Sequence, residues 1–261
     1  MGKRVLSALV FVPVVLFLAY SGGIYTALLT ALLSLLALRE FLGLAPKLGV
    51  QSWPGVTFGA AAVWLVLIFR GGSELLAPGV VVWFLVAAGR LAVGYPRQRP
   101  QDAAYNFVAV VYTVMLFAHL YLLRLLPHGL AWTLGVFFVV WATDTCAFLV
   151  GMVFGRHSLA PEVSPKKSVE GAIGGLVGSA AVGLLGWHYI HGLSWESYLA
   201  LALAAGVSAQ VGDLAESALK RSAGVKDSGH LIPGHGGILD RFDSFLFALP
   251  LVYYSVVIYG L

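Results

Sequence analysis

The sequence predicts an all-α, polytopic integral membrane protein with about nine transmembrane helices. Three observations predict it. Of 261 residues, 59% are hydrophobic and only 11% are charged, against ~45–50% and ~25% in soluble domains. The mean hydropathy is +0.89, so a water-soluble globule of this size has nowhere to hide its apolar surface. The apolar residues also fall in long unbroken runs, unlike the short alternating strands of a barrel. Disorder is excluded by the same composition. A disulfide scaffold is excluded by the single cysteine, Cys146.

Taken in order, the apolar segments are about 5–20, 24–42, 53–69, 75–94, 105–125, 130–154, 171–190, 197–216 and 242–260. The first resembles a signal peptide, with Lys3 and Arg4 before the run and Ser21-Gly22-Gly23 after it; we read it as an uncleaved span. Nine spans of ~20 residues use about 180 residues. The remaining ~80 residues form loops, which are too short for a separate soluble domain. Chemistry must then sit in loops and helix ends.

Charge placement gives the orientation. With the N-terminus inside, Lys3, Arg4, Arg39, Lys47, Arg90, Arg97, Arg99, Arg156, Lys166, Lys167, Lys220, Arg221, Lys226 and Arg241 all fall inside. Only Arg70 and Arg124 fall outside, which predicts N-in, C-out in the inner cell membrane. The net charge of +4 is explained by this asymmetry and by anionic lipid or a phosphorylated ligand; no nucleic-acid partner is expected. Two regions follow: residues 1–130, with about five generic spans, and residues 131–261, with two charged inside loops.

The second region concentrates the chemistry. Asp144 lies toward the inner end of the sixth span, where a carboxylate is costly unless it meets water or a partner. Asp213, Glu216 and Ser217 share one helical face by their spacing, although Glu216 and Lys220 also read as a simple surface ion pair. The loop 222–237 is glycine-rich and ends Pro233-Gly234-His235-Gly236-Gly237; consecutive N–H groups in such a turn can cradle phosphate. Asp240 and Asp243 follow at i, i+3. They read either as magnesium carboxylates beside phosphate-binding cations or as compensation of a helix dipole. Lys166 and Lys167 precede a glycine-rich helix start, which suits a polyanion, or inside anchoring. Frequent glycines at 171, 174, 175, 178 and 183 read as close helix packing, and Cys146 as a small buried hydrophobe. Together the residues point to phosphoryl or nucleotidyl transfer onto a lipid, with the nucleotide undetermined.

The stretch Ser217-Ala218-Leu219-Lys220-Arg221, Lys226-Asp227 and Pro233 through Asp243 resembles the signature of the CDP-diacylglycerol synthases (phosphatidate cytidylyltransferases). Asp144-Thr145-Cys146-Ala147-Phe148, Ser164-Pro165-Lys166-Lys167 and Glu170-Gly171 also resemble that family, with Ser168 where threonine is more usual. The motifs cover residues 140–260. The resemblance implies cytidylyl transfer from CTP to phosphatidic acid with Mg2+, and leaves a second cation and a homodimer open. It implies Asp213, Asp240 and Asp243 as metal ligands, and Asp144 as an orienting or metal-shell carboxylate. Lys166, Lys167, Lys220, Arg221 and Lys226 would hold phosphates, and Ser217, His235, Gly236, Gly237 and Arg241 complete the expected substrate set. The competing readings are a CTP-dependent lipid kinase, an isoprenoid-lipid cytidylyltransferase and, from another class, an ion-coupled transporter.

Overall fold

Residues 2–189, 194–232 and 236–259 are described in the structure, a computed structural model. The chain is helical almost throughout: α1 (Gly2–Ser21), α2 (Gly23–Leu44), α3 (Pro54–Gly71), α4 (Leu76–Gly94), α5 (Pro100–Val110), α6 (Leu116–Leu125), α7 (Gly129–Phe154), α8 (Val169–Tyr189), α9 (Trp195–Ser222) and α10 (Leu239–Tyr259). Seven helical stretches among the described residues are long and apolar enough to cross a membrane, where the sequence suggested nine. The difference lies at the first two hairpins. α1 itself runs Gly2–Ser21 but enters that count only from residue 11, most side chains before it lying outside the described ones, and 54–94 is counted as one continuous stretch of 41 residues. A straight helix of that length would be about 60 Å long, twice the hydrocarbon core. It folds back instead at Gly72, whose φ of 64° breaks the helix, and the Trp64 indole lies directly against Gly79.

The chain divides into two compact units, Met1–Leu122 with Ser222–Arg241, and Leu123–Arg221 with Phe242–Leu261. The glycine-rich loop therefore packs with the first unit, although its neighbours in sequence belong to the second.

In the first unit, a buried polar latch holds the 49–53 connection to α5. Asp102 is fully buried and accepts from the backbone N–H groups of Gln51 (2.7 Å) and Arg99 (2.8 Å). Asn106 accepts from Trp53 N–H at 2.7 Å and donates to Gln51 O at 2.8 Å. The Arg99 guanidinium donates to Gly49 O, and Arg90 lies 4.9 Å from the Trp53 ring centroid. Each buried carboxylate or amide here has its partners, the condition for burying such groups without penalty. A π turn, Val111–Met115, joins α5 to α6 without a break.

The second unit is an up-and-down arrangement of α7, α8, α9 and the body of α10. Its helices touch through small residues, as the glycine pattern suggested. A Cβ on Gly171 would meet the Ala147 carbonyl at 2.8 Å, and one on Gly178 would meet Cys146 Sγ at 2.7 Å. Gly206 sits against Ser179, and Gly183 against Ala202 and Tyr198. Without a hydrophobic drive between helices in lipid, such close backbone approach is what dispersion requires. Between α7 and α8, residues expected as a plain loop form a small antiparallel hairpin, β1 (Ser158–Ala160) and β2 (Ser164–Ser168). Glu170 fastens it, accepting from Arg156 N at 3.1 Å and pairing with His157 Nδ1 at 2.6 Å. Ser168 Oγ caps α8 by accepting from Gly171 N at 3.0 Å.

Candidate active site

Because the four helices alternate in direction, the C-terminal ends of α7 and α9 and the N-terminal ends of α8 and α10 share one end of the second unit. Four acidic side chains meet there. Asp144 comes from α7, Asp213 and Glu216 from α9, and Asp243 from α10; the electrostatic neighbours of Asp243 are Asp213, Glu216 and Asp144. Asp144 in turn feels Asp213 and Lys167. Asp213 stands nine residues before the end of its helix and Asp144 ten, about 14–15 Å along the axis. Both lie well inside the apolar stretch.

Gly212 explains how α10 comes so close. A Cβ there would lie 2.5 Å from the Asp243 carbonyl oxygen and 2.9 Å from the Phe247 ring. Ser208 Oγ adds a hydrogen bond to Phe247 O at 2.9 Å. One glycine and one serine thus set α9 against the first turns of α10, beside Asp213 and Asp243.

Two lysines face this acidity. Lys167, half-buried on β2, forms an ion pair with Asp213; Lys166, its neighbour on the strand, is exposed. Lys220 pairs with Glu216 along α9. The ion pair expected from their spacing is present, and it is buried rather than superficial: Glu216 is 1% exposed and Lys220 8%. Ser217 is buried and donates to Asp213 Oδ1 at 3.4 Å. Arg221 is exposed. Acids outnumber lysines four to two here; Glu216 and Lys220 are buried, Asp213, Asp243 and Lys167 are partly exposed, and Asp144 is exposed, so water still reaches the group.

The remaining expected residues lie in the first unit and have different surroundings. Asp240 Oδ2 accepts from Ser228 N (2.9 Å), Ser228 Oγ (2.9 Å) and Gly237 N (2.7 Å). Gly236 adopts φ 81° and closes a bridge in which Ile232 N donates to its carbonyl at 2.9 Å. Lys226 and Arg241 are exposed, and Lys226 has no ion pair among the described residues. His235 lies outside the described residues. Sequence reasoning passed over Glu40, at the end of α2, which accepts from Ile238 N and Leu239 N, each at 2.9 Å. The loop N–H groups read as a phosphate cradle are thus taken by protein carboxylates: that of Gly237 by Asp240, those of Ile238 and Leu239 by Glu40. The signal available was an acid within an apolar helix with no base at i+3 or i+4, where Gly43 and Leu44 stand.

A divalent cation fits the second unit's donor set. Among the described residues no three His, Cys, Asp or Glu side chains are gathered to enclose an ion on their own. Magnesium is usually held by one or two carboxylates, with phosphate oxygens and water completing the octahedron. Asp213 and Asp243, with Asp144 nearby, offer carboxylates of that kind. The same unit contains a cavity of about 1180 Å³ between α7, α8 and α9, walled by apolar residues including Trp132, Val136 and Leu201, and reaching Thr145 and Cys146, which directly follow Asp144 on α7.

Comparison with known proteins agrees with these features. A model of the cytidylyltransferase family matches residues 2–259. The phosphatidate cytidylyltransferase of Staphylococcus haemolyticus (strain JCSC1435) is 36% identical over 254 residues, 95% of this chain and 94% of its own length. That of Staphylococcus aureus (strain COL) is 36% identical over 258 residues, 97% of each chain. Matched by the family model and by these relatives along nearly its whole length, the chain belongs to the cytidylyltransferase family.

Proposed function

We propose that this chain transfers a cytidylyl group from CTP to phosphatidic acid, forming CDP-diacylglycerol and releasing pyrophosphate. The observation that carries the reading is the set Asp144, Asp213, Glu216 and Asp243 gathered at one end of the second unit with Lys167 and Lys220, Glu216 and Lys220 buried and Asp144 exposed, in a member of the cytidylyltransferase family. A phosphatidate oxygen attacks the α-phosphorus of CTP, the bond from that phosphorus to the bridging oxygen breaks, and pyrophosphate departs in line. Phosphatidate is ionised at neutral pH, so no protein nucleophile is needed. The protein's task is positioning and charge neutralisation.

In this reading Asp213 and Asp243 hold Mg2+, with Asp144 in the same shell. When bound, the ion neutralises phosphate charge and supports the departing pyrophosphate. Lys167, paired with Asp213, is placed to hold a phosphate oxygen and to orient that carboxylate. Asp240, whose oxygens already serve Ser228 and Gly237, holds the loop in shape; Lys226 and Arg241 on that loop supply phosphate-binding charge. The apolar cavity beside the Asp144 turn suits an acyl chain. The positive-inside distribution supports a cytoplasmic N-terminus and a site reached by CTP from the cytoplasm.

The test is product analysis. Purified protein with magnesium, phosphatidic acid and CTP labelled separately in the cytosine and in the γ-phosphate should retain cytidine in the lipid and release the γ-label as pyrophosphate. A lipid carrying the γ-label would make the protein a CTP-dependent lipid kinase.

A further inference from the structure

Glu40 makes no contribution to the chemistry described so far, yet its carboxylate is among the best-solvated by protein donors in the molecule. Oε1 accepts from Ile238 N at 2.9 Å; Oε2 accepts from Leu239 N at 2.9 Å and Ser228 Oγ at 3.3 Å. Two glycines close around it. A Cβ on Gly229 would lie 2.7 Å from Oε1, and one on Gly237 would overlap the carboxylate outright. Asp240 repeats the arrangement from the other side, bonding Ser228 and Gly237. Glu40 therefore ties residue 228, before the turn, to residues 238 and 239, after it, across nearly two hundred positions of sequence.

The N–H groups it accepts from open α10, where helix dipole and unpaired donors favour an anion. A carboxylate supplied by α2 fills that place permanently. The length of the side chain matters, because aspartate would fall short by one methylene. The charge matters too: an amide in this position turns at least one donor toward an N–H group that needs an acceptor.

We propose that Glu40 is a positioning residue for the cytidylyl transfer. It fixes the ends of the glycine-rich loop so that Lys226 and Arg241 are held ready for phosphate. The proposal rests on the function proposed above, and the experiment separates the two. Glu40→Gln and Gly229→Ala, the second disturbing the same contact with Glu40 intact, are each compared with the parent protein in detergent, in two measurements. One is the steady-state rate with CTP and phosphatidic acid, taken on the folded, monodisperse fraction well below its melting temperature. The other is hydrogen exchange of the peptide containing Ile238 and Leu239. Expected are faster exchange at those amides, no change in the middle of α2, and kcat lower by about ten- to a hundredfold, the loss typical of a charge-assisted hydrogen bond, with smaller changes in KM. Glu40→Asp should fall between. Variants that lose exchange protection but keep the parent kcat would overturn the positioning role, as would variants whose melting temperature drops while the folded fraction stays fully active. If Glu40→Gln does not fold, the same outcomes are read from Gly229→Ala. A parent protein that makes no CDP-diacylglycerol would instead sink the proposed function, and the exchange measurement would still decide whether the latch exists.

Discussion

In the first unit, Glu40 and Asp240 accept hydrogen bonds from Ser228, Gly237, Ile238 and Leu239, and Asp102 accepts from Gln51 and Arg99. In the second unit, Asp144, Asp213 and Glu216 lie within electrostatic reach of Asp243, while Lys167 pairs with Asp213 and Lys220 with Glu216. The residue types are the same, and the difference is in what faces them. Carboxylates met by backbone N–H groups hold a loop in shape and have little capacity left. Carboxylates near other carboxylates repel one another, and a proton, a lysine or a bound cation relieves that repulsion. The acids of the first unit are engaged in holding their own loops, and those of the second unit are the candidates for binding a cation.

The comparison is broken most directly at Asp213. Asparagine keeps the shape and removes the charge, so Asp213→Asn should lower magnesium-dependent CDP-diacylglycerol formation by at least about two orders of magnitude without preventing folding. Asp243→Asn should behave alike. Asp240→Asn should also lose activity, but with faster exchange at Ser228 and Gly237 and little change in the magnesium dependence of what remains. A normal magnesium titration for Asp213→Asn would reduce that residue to a helix-end charge.

Lys167→Ala sharpens the contrast. It leaves four acids opposed by Lys220 alone, so the magnesium concentration for half-maximal rate should fall. The maximal rate should fall as well, by about ten- to a hundredfold, because a phosphate ligand is gone. Parallel weakening of both would mean that Lys167 only supports the hairpin. Lys226→Ala, on the exposed loop, should cost about tenfold with unchanged magnesium dependence; unchanged kinetics there would leave the loop a connector.

Much of this was legible in the sequence, for reasons that can be named. The apolar runs marked every long helix, because only continuous helices satisfy backbone groups in lipid. Asp144, Asp213 and Asp243 stood out as acids at apolar helix ends, and alternating helix direction was enough to bring them together. The 158–168 hairpin was not legible, since its pairing depends on Glu170 reaching back to Arg156 and His157 rather than on an alternating pattern. Asp102 and Asn106 were passed over, because their partners at 51–53 lie about fifty residues earlier in the chain. Asp240 was read for its charge, and the structure gives it three donors that spacing alone does not reveal. Glu40 was missed because its partners lie about two hundred residues downstream.

The smallest expected effect tests how the acid cluster is assembled. Gly212 lets the Asp243 carbonyl and the Phe247 ring approach α9 where any side chain would collide, at 2.5 and 2.9 Å. Both obstacles belong to a packed helix and cannot swing aside, so Gly212→Ala must separate α9 from α10 by a fraction of an ångström. Overpacking of this kind costs about 1–3 kcal/mol. The displacement falls between Asp213 and Asp243, so the rate should drop by several-fold as well, with a higher magnesium requirement. Gly59→Ala is the matching control in the first unit. It sits in α3 with nothing within 4 Å of the added methyl, and replacing a helical glycine there should be neutral or stabilise by up to about 1 kcal/mol. Thermal unfolding and a magnesium titration on the two variants read both effects. Should Gly212→Ala lose stability yet keep the parent magnesium dependence, the approach of α10 would matter to packing alone, and the two carboxylates would not share an ion.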